Sequence, residues 1–198
     1  VENEVIPYLR KRYELNEVIH YKVLKTIDLG ESNVDHLIGN IIEKSTNPTV
    51  GVLAHPGQVD VRIAAKAKNK KEADLIINPV KKEIASLLGE AIFGEDEETL
   101  EKNIGDLLSS NNTTISTIEN ISGGTISEAF QDSANNLYSQ GITIGANNNI
   151  VNLFNKYEIK LDDSDPLKVA LSQAYLIKKI SSSDISLAYF GVASGDLK

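Results

Sequence analysis

The sequence predicts an α/β protein in two units: a small α+β unit, then a layered α/β unit. Three observations predict it. Residues 18 to 90 read β-α-β-β-α, from the switch between alternating and helix-period apolar patterning. Gly94-Glu95-Asp96 marks a boundary. Beyond it, strand-like and helix-like segments alternate, as they do where helices cover both faces of a sheet. The expected division is 1–17 as a lead-in, 18–95 as the first unit and 96–198 as the second.

In the lead-in, Val5, Tyr8 and Leu9 are apolar, but Pro7 is expected to interrupt any helix. The stretch lacks the apolar core of a signal peptide and reads as the remnant of an upstream domain's last helix and its linker. Val18 to Leu29 mixes β-branched and aromatic residues and predicts a strand ended by Gly30. Ser32 is the expected N-cap of a helix whose stripe is Val34, Leu37, Ile38, Ile41 and Ile42. Asn47-Pro48 ends it. Thr49–Ala54 and Gln58–Ala67 are strands joined in a hairpin by His55-Pro56-Gly57. In the second strand Val59, Val61, Ile63 and Ala65 alternate with polar or small residues, so one face is expected in the core. A helix is expected over 71–88, with its stripe at Ile76, Val80, Ile84, Leu87 and Leu88, kinked or divided at Pro79.

In the second unit, Asp96 is expected to cap a helix over 97–110 bearing Leu100, Ile104, Leu107 and Leu108. Thr113–Ile118 is a strand, Asn120–Gly124 a turn and Thr125–Phe130 a short helix. Leu137–Ile144 is a strand, 148–157 a helix, and Pro166 opens the next helix near its first position. Ile185–Val192 is a last strand. An α/β unit rarely finishes on a strand, so the second unit is expected to be incomplete at its end.

Composition narrows the function. The 198 residues contain no run near the ~20 apolar residues of a membrane span, and no membrane association is expected. A net charge of −8 argues against a general binder of phosphate backbones. With no Cys, disulfides, zinc–thiolate sites, iron–sulfur clusters and a thiol nucleophile are excluded. With no Met, Val1 is not expected to be a natural start, and the chain is expected to be a fragment. His20, His36 and His55 are scattered and predict no shared metal site. Asp162, Asp163 and Asp165 lack the spacing of a calcium loop. Lys66, Lys68, Lys70 and Lys71 form a basic cluster, best read as a wet strand edge and helix start.

Two stretches carry more. The first runs through Lys25–Ser32 (KTIDLGES), Asn47–Val50 (NPTV), Val59–Ala67 (VDVRIAAKA), Pro79 and Phe93–Glu101 (FGEDEETLE). In order and spacing it resembles the KH-like connecting domain of the CinA (competence/damage-inducible) family, over roughly residues 1 to 101. The second is Ile118-Glu119-Asn120-Ile121-Ser122-Gly123-Gly124. It stands where the family's C-terminal domain, a nicotinamide mononucleotide deamidase (nicotinamide-nucleotide amidase), carries A-E-S-C-T-G-G. Gln140 to Ile150 is similar to the family's G-G-V-V-x-Y-S-N-E-A-K, and Phe190 to Ser194 to its T-G-I-A-G-P.

The resemblance implies a KH-like α+β domain followed by a three-layer α/β/α domain in a cytoplasmic homodimer, with a molybdopterin-binding-like domain usually upstream. It also implies a catalytic serine activated by a tyrosine and a lysine. A hydroxyl needs such help because its free pKa makes it a weak nucleophile. Those three positions hold Asn120, Gly145 and Ile150, none of which can do that chemistry. The cysteine position holds Ile121. No catalytic residue is therefore assigned, and no cofactor or metal is expected.

A residual pocket for a nicotinamide mononucleotide-like ligand is expected from Glu119, Ser122, Gly123, Gly124, Thr125, Gly141 and Asn147. In it the glycines permit a tight turn, and the helix start at Thr125 offers N–H groups to a phosphate. Ser122 keeps a hydroxyl without a neighbouring Lys or His in sequence to activate it. KH modules grip nucleic acid with a GXXG loop that this unit lacks, so no nucleic-acid partner is expected. The expected function is a non-catalytic dimerisation or nucleotide-sensing module. The alternative is an active deamidase using other residues.

Overall fold

The computed structural model describes residues 3–14, 16–145 and 150–191. The chain divides after Glu98 into two compact units.

The first unit opens with a helix, α1 (Val5–Arg12), where the proline argument expected none. Pro7 is the third helical residue, in the first turn, where its missing N–H costs no intrahelical bond. Strand β1 (Val18–Ile27), helix α2 (Glu31–Lys44), strands β2 (Thr49–His55) and β3 (Gln58–Ala67), helix α3 (Lys70–Leu88) and strand β4 (Ile92–Glu95) follow. The sheet order is β2-β3-β1-β4, antiparallel throughout, a split βαβ arrangement. Strand β4 was not expected. It is four residues long and contains Gly94, too short for an alternating pattern.

Leu24, Val34, Ile38, Val61, Ile63, Ile77 and Ile84 fill the core between the sheet and the two helices. The alternation expected in β3 is present, with Val59, Val61, Ile63, Ala65 and Ala67 buried. Helix α2 starts one residue before Ser32, with Gly30 rather than Ser32 at the N-cap. Helix α3 runs unbroken through Pro79. Pro79 and Leu75, whose carbonyl loses its N–H partner, are both exposed, so water can take the freed carbonyl. The buried line of α3 is Ala73, Ile77, Ile84 and Leu88, and Leu87 of the expected stripe is exposed.

Asp96 does not cap the next helix. It takes a left-handed φ of 52° and accepts from Lys22 Nζ at 2.5 Å and the Val23 N–H at 3.0 Å, closing the first unit on itself. The cap is Thr99, whose hydroxyl accepts from the Lys102 N–H at 3.2 Å, so the helix starts at Leu100.

The second unit consists of α4 (Leu100–Asn111), β5 (Ile115–Glu119), α5 (Thr125–Ala134), β6 (Tyr138–Thr143), α6 (Ile150–Lys156), α7 (Pro166–Ser181) and β7 (Ile185–Tyr189). Helix α5 runs one turn beyond the Phe130 expected. Pro166 is at the first position of α7, as expected, with the Asp165 carboxylate capping the Lys168 N–H at 3.0 Å. The three strands are parallel in the order β6-β5-β7. Ile115 packs with Leu108, Phe130 and Ala134 on the α4–α5 side, and Ile118 packs with Phe154, Leu176 and Ile177 on the α6–α7 side. Two cores on opposite faces of one sheet make the expected three layers.

Candidate functional site

The resembling segments meet at one edge. Asn120 follows β5, Gly145 lies two residues past β6, and Gly191 two residues past β7, so all three leave the carboxyl ends of neighbouring parallel strands. The chain passes from β5 into α5 on one face of the sheet and from β6 into α6 on the other. A crevice at such a reversal is where open α/β sheets hold ligands.

Asn120 is engaged at both ends of its carboxamide. Its Nδ2 donates to the Gly191 carbonyl at 2.9 Å. Its Oδ1 accepts the N–H groups of Gly191 at 3.1 Å and Ile121 at 2.7 Å. Its own N–H donates to the Tyr189 carbonyl at 3.2 Å. Gly145 is exposed with open space where a Cβ would stand. Ile150 begins α6 and packs against the Ile118–Phe154–Leu176 core. Asn120 is thus a clamp, Gly145 bare backbone and Ile150 part of the core.

Glu119 is fully buried, and strand β5 would not tolerate it unpaired. It accepts from the Ser122 hydroxyl, from the Ser127 hydroxyl at 2.5 Å, and from the N–H groups of Ser127 at 2.9 Å and Ile126 at 3.1 Å. Burial pushes its pKa up most strongly. The hydrogen bonds from Ser122, Ser127 and Ile126 together outweigh that and hold it below the ordinary carboxylate range.

The reason lies in local sequence. Helix α5 has Gly124 at its N-cap, with no side chain to cap the first turn, so the carboxylate of the preceding strand does so. The remaining first-turn groups are also engaged: Thr125 N–H approaches the Ser122 carbonyl at 3.4 Å, and Glu128 N–H donates to Gly124 O at 2.9 Å. The N–H groups expected to receive a phosphate are therefore occupied from within.

Glu119, Ser122, Gly123, Gly124 and Thr125 are brought together by one turn, with Gly123 and Gly124 at φ 65° and 109°. Only glycine adopts such angles without strain. Gly141 is not at this turn. It pairs with Thr117 inside β6, and a Cβ there would collide with the hydroxyls of Tyr138 and Ser127. Its role is close packing. Asn147 lies outside the described residues.

The sequence did not reveal the hydroxyl group of contacts behind the turn. Thr117 Oγ1 lies 2.6 Å from the Tyr138 hydroxyl and 3.0 Å from Ser127 Oγ. A glycine N-cap followed by Ser at the third helical position is the signal that an outside acceptor was needed. Among the described residues, the hydrogen bond of the Ser122 hydroxyl goes to Glu119, a carboxylate held ionised and so a poor proton acceptor. His20 and His55 face Asp74 at 3.2 Å and Asp60 at 3.4 Å, in the first unit. No helix among the described residues is long and apolar enough to cross a membrane.

Residues 21–94, nearly the whole split-βαβ sheet and its helices, match the family model of the damage-inducible protein CinA KH domain. The architecture is thus a KH-type unit followed by a parallel three-layer α/β unit. A protein named as competence-damage inducible from Clostridium novyi (strain NT) is 33% identical over 202 residues, covering 98% of this chain and 48% of that protein. Similarly named proteins of Clostridium botulinum (strain 657 / Type Ba4) and Clostridium tetani (strain Massachusetts / E88) are 35% and 37% identical, over 97% and 96% of this chain and 47% of each relative. The chain spans about half the length of the curated relatives it matches. Its first unit is thus of the CinA KH type, and the chain as a whole is similar to competence-damage inducible proteins.

Proposed function

We propose that the second unit is a catalytically silent form of the family's nicotinamide mononucleotide deamidase domain, kept as an assembly module of a cytoplasmic homodimer. The carrying observation is Asn120, at the nucleophile position, with its carboxamide hydrogen-bonded in both directions to Gly191. An amide has no nucleophilic oxygen of use, and this one is saturated. The roles of Gly145 as bare backbone and Ile150 as core support the same reading. The occupied N-terminus of α5 favours assembly over phosphate sensing.

Ammonia release from nicotinamide mononucleotide, measured on the purified chain, tests the proposal. The expected rate is that of buffer alone; turnover overturns it. Thermal stabilisation by the same nucleotide without turnover would instead assign a sensing role.

A further inference from the structure

We propose that strand β2, in the middle of the KH-type unit, is a pairing edge for a second copy of the chain. The two β2 strands run antiparallel about a two-fold axis at Val52. This contact does not depend on the silent-domain reading of the second unit.

The sheet order β2-β3-β1-β4 leaves β2 at an edge. Asn47 shows which way the backbones point. Its side chain donates to the Lys66 carbonyl at 3.0 Å and accepts the Lys66 N–H at 2.9 Å, so Lys66 turns its backbone toward the β2 side. Ala64, Arg62, Asp60 and Gln58 follow at intervals of two and oppose Thr49, Gly51, Leu53 and His55. The N–H and C=O groups of Val50, Val52 and Ala54 therefore point away from the sheet. No hydrogen bond among the described residues takes them up.

An edge strand is ordinarily guarded against such pairing by charge, proline, a bulge or brevity. The opposite edge follows that rule. Strand β4 has four residues, and its Glu95 is paired with Lys81 at 2.8 Å. Strand β2 does not. Its seven residues, Thr-Val-Gly-Val-Leu-Ala-His, include no Lys, Arg, Asp, Glu or Pro, and its register with β3 is unbroken.

The side chains select a second copy as the occupant. A two-fold axis at Val52 sets Val52 against Val52 and Val50 against Ala54, with their outward backbone groups bonded to each other. Val50 is buried and Val52 packs against the core, so the apolar layer continues across the seam. On the other face, Leu53 of one copy stands opposite Gly51 of the second, at the pairing position where side chains approach most closely. Leu53 is 59% exposed, and a side chain at Gly51 would meet nothing within 4 Å. The leucine fills the space that the glycine leaves, twice over by symmetry. No like charges are set opposite one another, because β2 carries none.

The chain has no cysteine, so single introduced thiols report the register. Full-length Gly51→Cys and Leu53→Cys, each verified as folded by circular dichroism, are oxidised with diamide separately and as a mixture. Position 51 faces position 53 of the second copy within disulfide reach, whereas like positions are two residues out of step. The mixture should yield at least ten times more covalent dimer than either variant alone. A mixture that yields no more than the separate variants overturns the proposal. Backbone hydrogen exchange of the unaltered chain is the second readout. The amides of Val50, Val52 and Ala54 should exchange at least tenfold more slowly as protein concentration is raised. Exchange there that is independent of concentration overturns the proposal as well.

Discussion

Asn120 and Gly191 are hydrogen-bonded in both directions, side-chain amide to backbone carbonyl at 2.9 Å and backbone N–H to side-chain oxygen at 3.1 Å. The pair ties the end of the central strand β5 to the segment leaving β7. A serine at position 120 has one short hydroxyl and cannot reproduce both bonds. Asn120→Ser therefore removes a structural contact and should lower stability by about 1–2 kcal/mol. On the proposed reading it should leave ammonia release at background, because neither Gly145 nor Ile150 offers a group that could activate a hydroxyl. Urea denaturation and an ammonia assay check the two halves.

Glu119 should show the largest single-residue effect at this edge. Glu119→Gln keeps the shape but sets an NH₂ group against donors and removes the charge that four donors stabilise. A loss of about 2–3 kcal/mol is expected. The folded-state pKa is lowered, so the wild-type contribution is fully present above the ordinary glutamate value of about 4.3. It is lost as pH falls through the lower folded value. The stability gap between wild type and Glu119→Gln should therefore narrow as the pH is taken below that value, as read by denaturation at stepped pH.

The glycines should separate cleanly. At Gly105 a methyl group would run into the backbone carbonyl of Ser133 where α4 crosses α5, and backbone cannot swing aside. Gly105→Ala should cost about 3 kcal/mol or more. At Gly141 the obstacle is two hydroxyl side chains, so Gly141→Ala should cost about 1–2 kcal/mol. Gly145→Ala meets nothing and should stay within about 0.5 kcal/mol. Thermal melts of the three variants check that order.

The first unit has its own pH signature in the Lys22–Asp96 pair. The hydrogen bond to Asp96 raises the Lys22 pKa. Burial pushes Asp96 up most strongly, but the bonds from Lys22 and Val23 outweigh it and leave its pKa lowered. The lysine's contribution holds below its unfolded pKa and fades as pH rises through the raised folded value. The aspartate's holds above its unfolded pKa and fades as pH falls through the lowered one. Lys22→Met should remove the alkaline arm of the pH–stability profile attributable to this pair, measured by denaturation between neutral and strongly alkaline pH.

Periodicity made most of the fold legible. The alternation of Val59 to Ala67 and Val34, Ile38, Ile41 and Ile42 of the α2 stripe needed only local apolar spacing and reach the core, whereas Leu37 of that stripe is exposed. The errors came where long-range partners decide. Pro7 and Pro79 fit helices because one lies in a first turn and the other on a wet face. Asp96 reads locally as a cap, but a lysine 74 residues away claims it, and Thr99 caps α4 instead. Strand β4 exists through pairing with β1, which four residues cannot announce. At the site, the turn and its glycines were readable. The carboxylate that fills the helix start was not, since only the fold brings Glu119 to the N–H groups of Ile126 and Ser127.

The most direct test of the central claim is the rate of ammonia release when the purified chain is incubated with nicotinamide mononucleotide. Wild type and the Asn120→Ser, Gly145→Tyr, Ile150→Lys triple variant would be run side by side. The silent-domain account predicts no release above buffer from the wild type at any enzyme concentration. Release that scales with wild-type concentration and saturates with the nucleotide would contradict it.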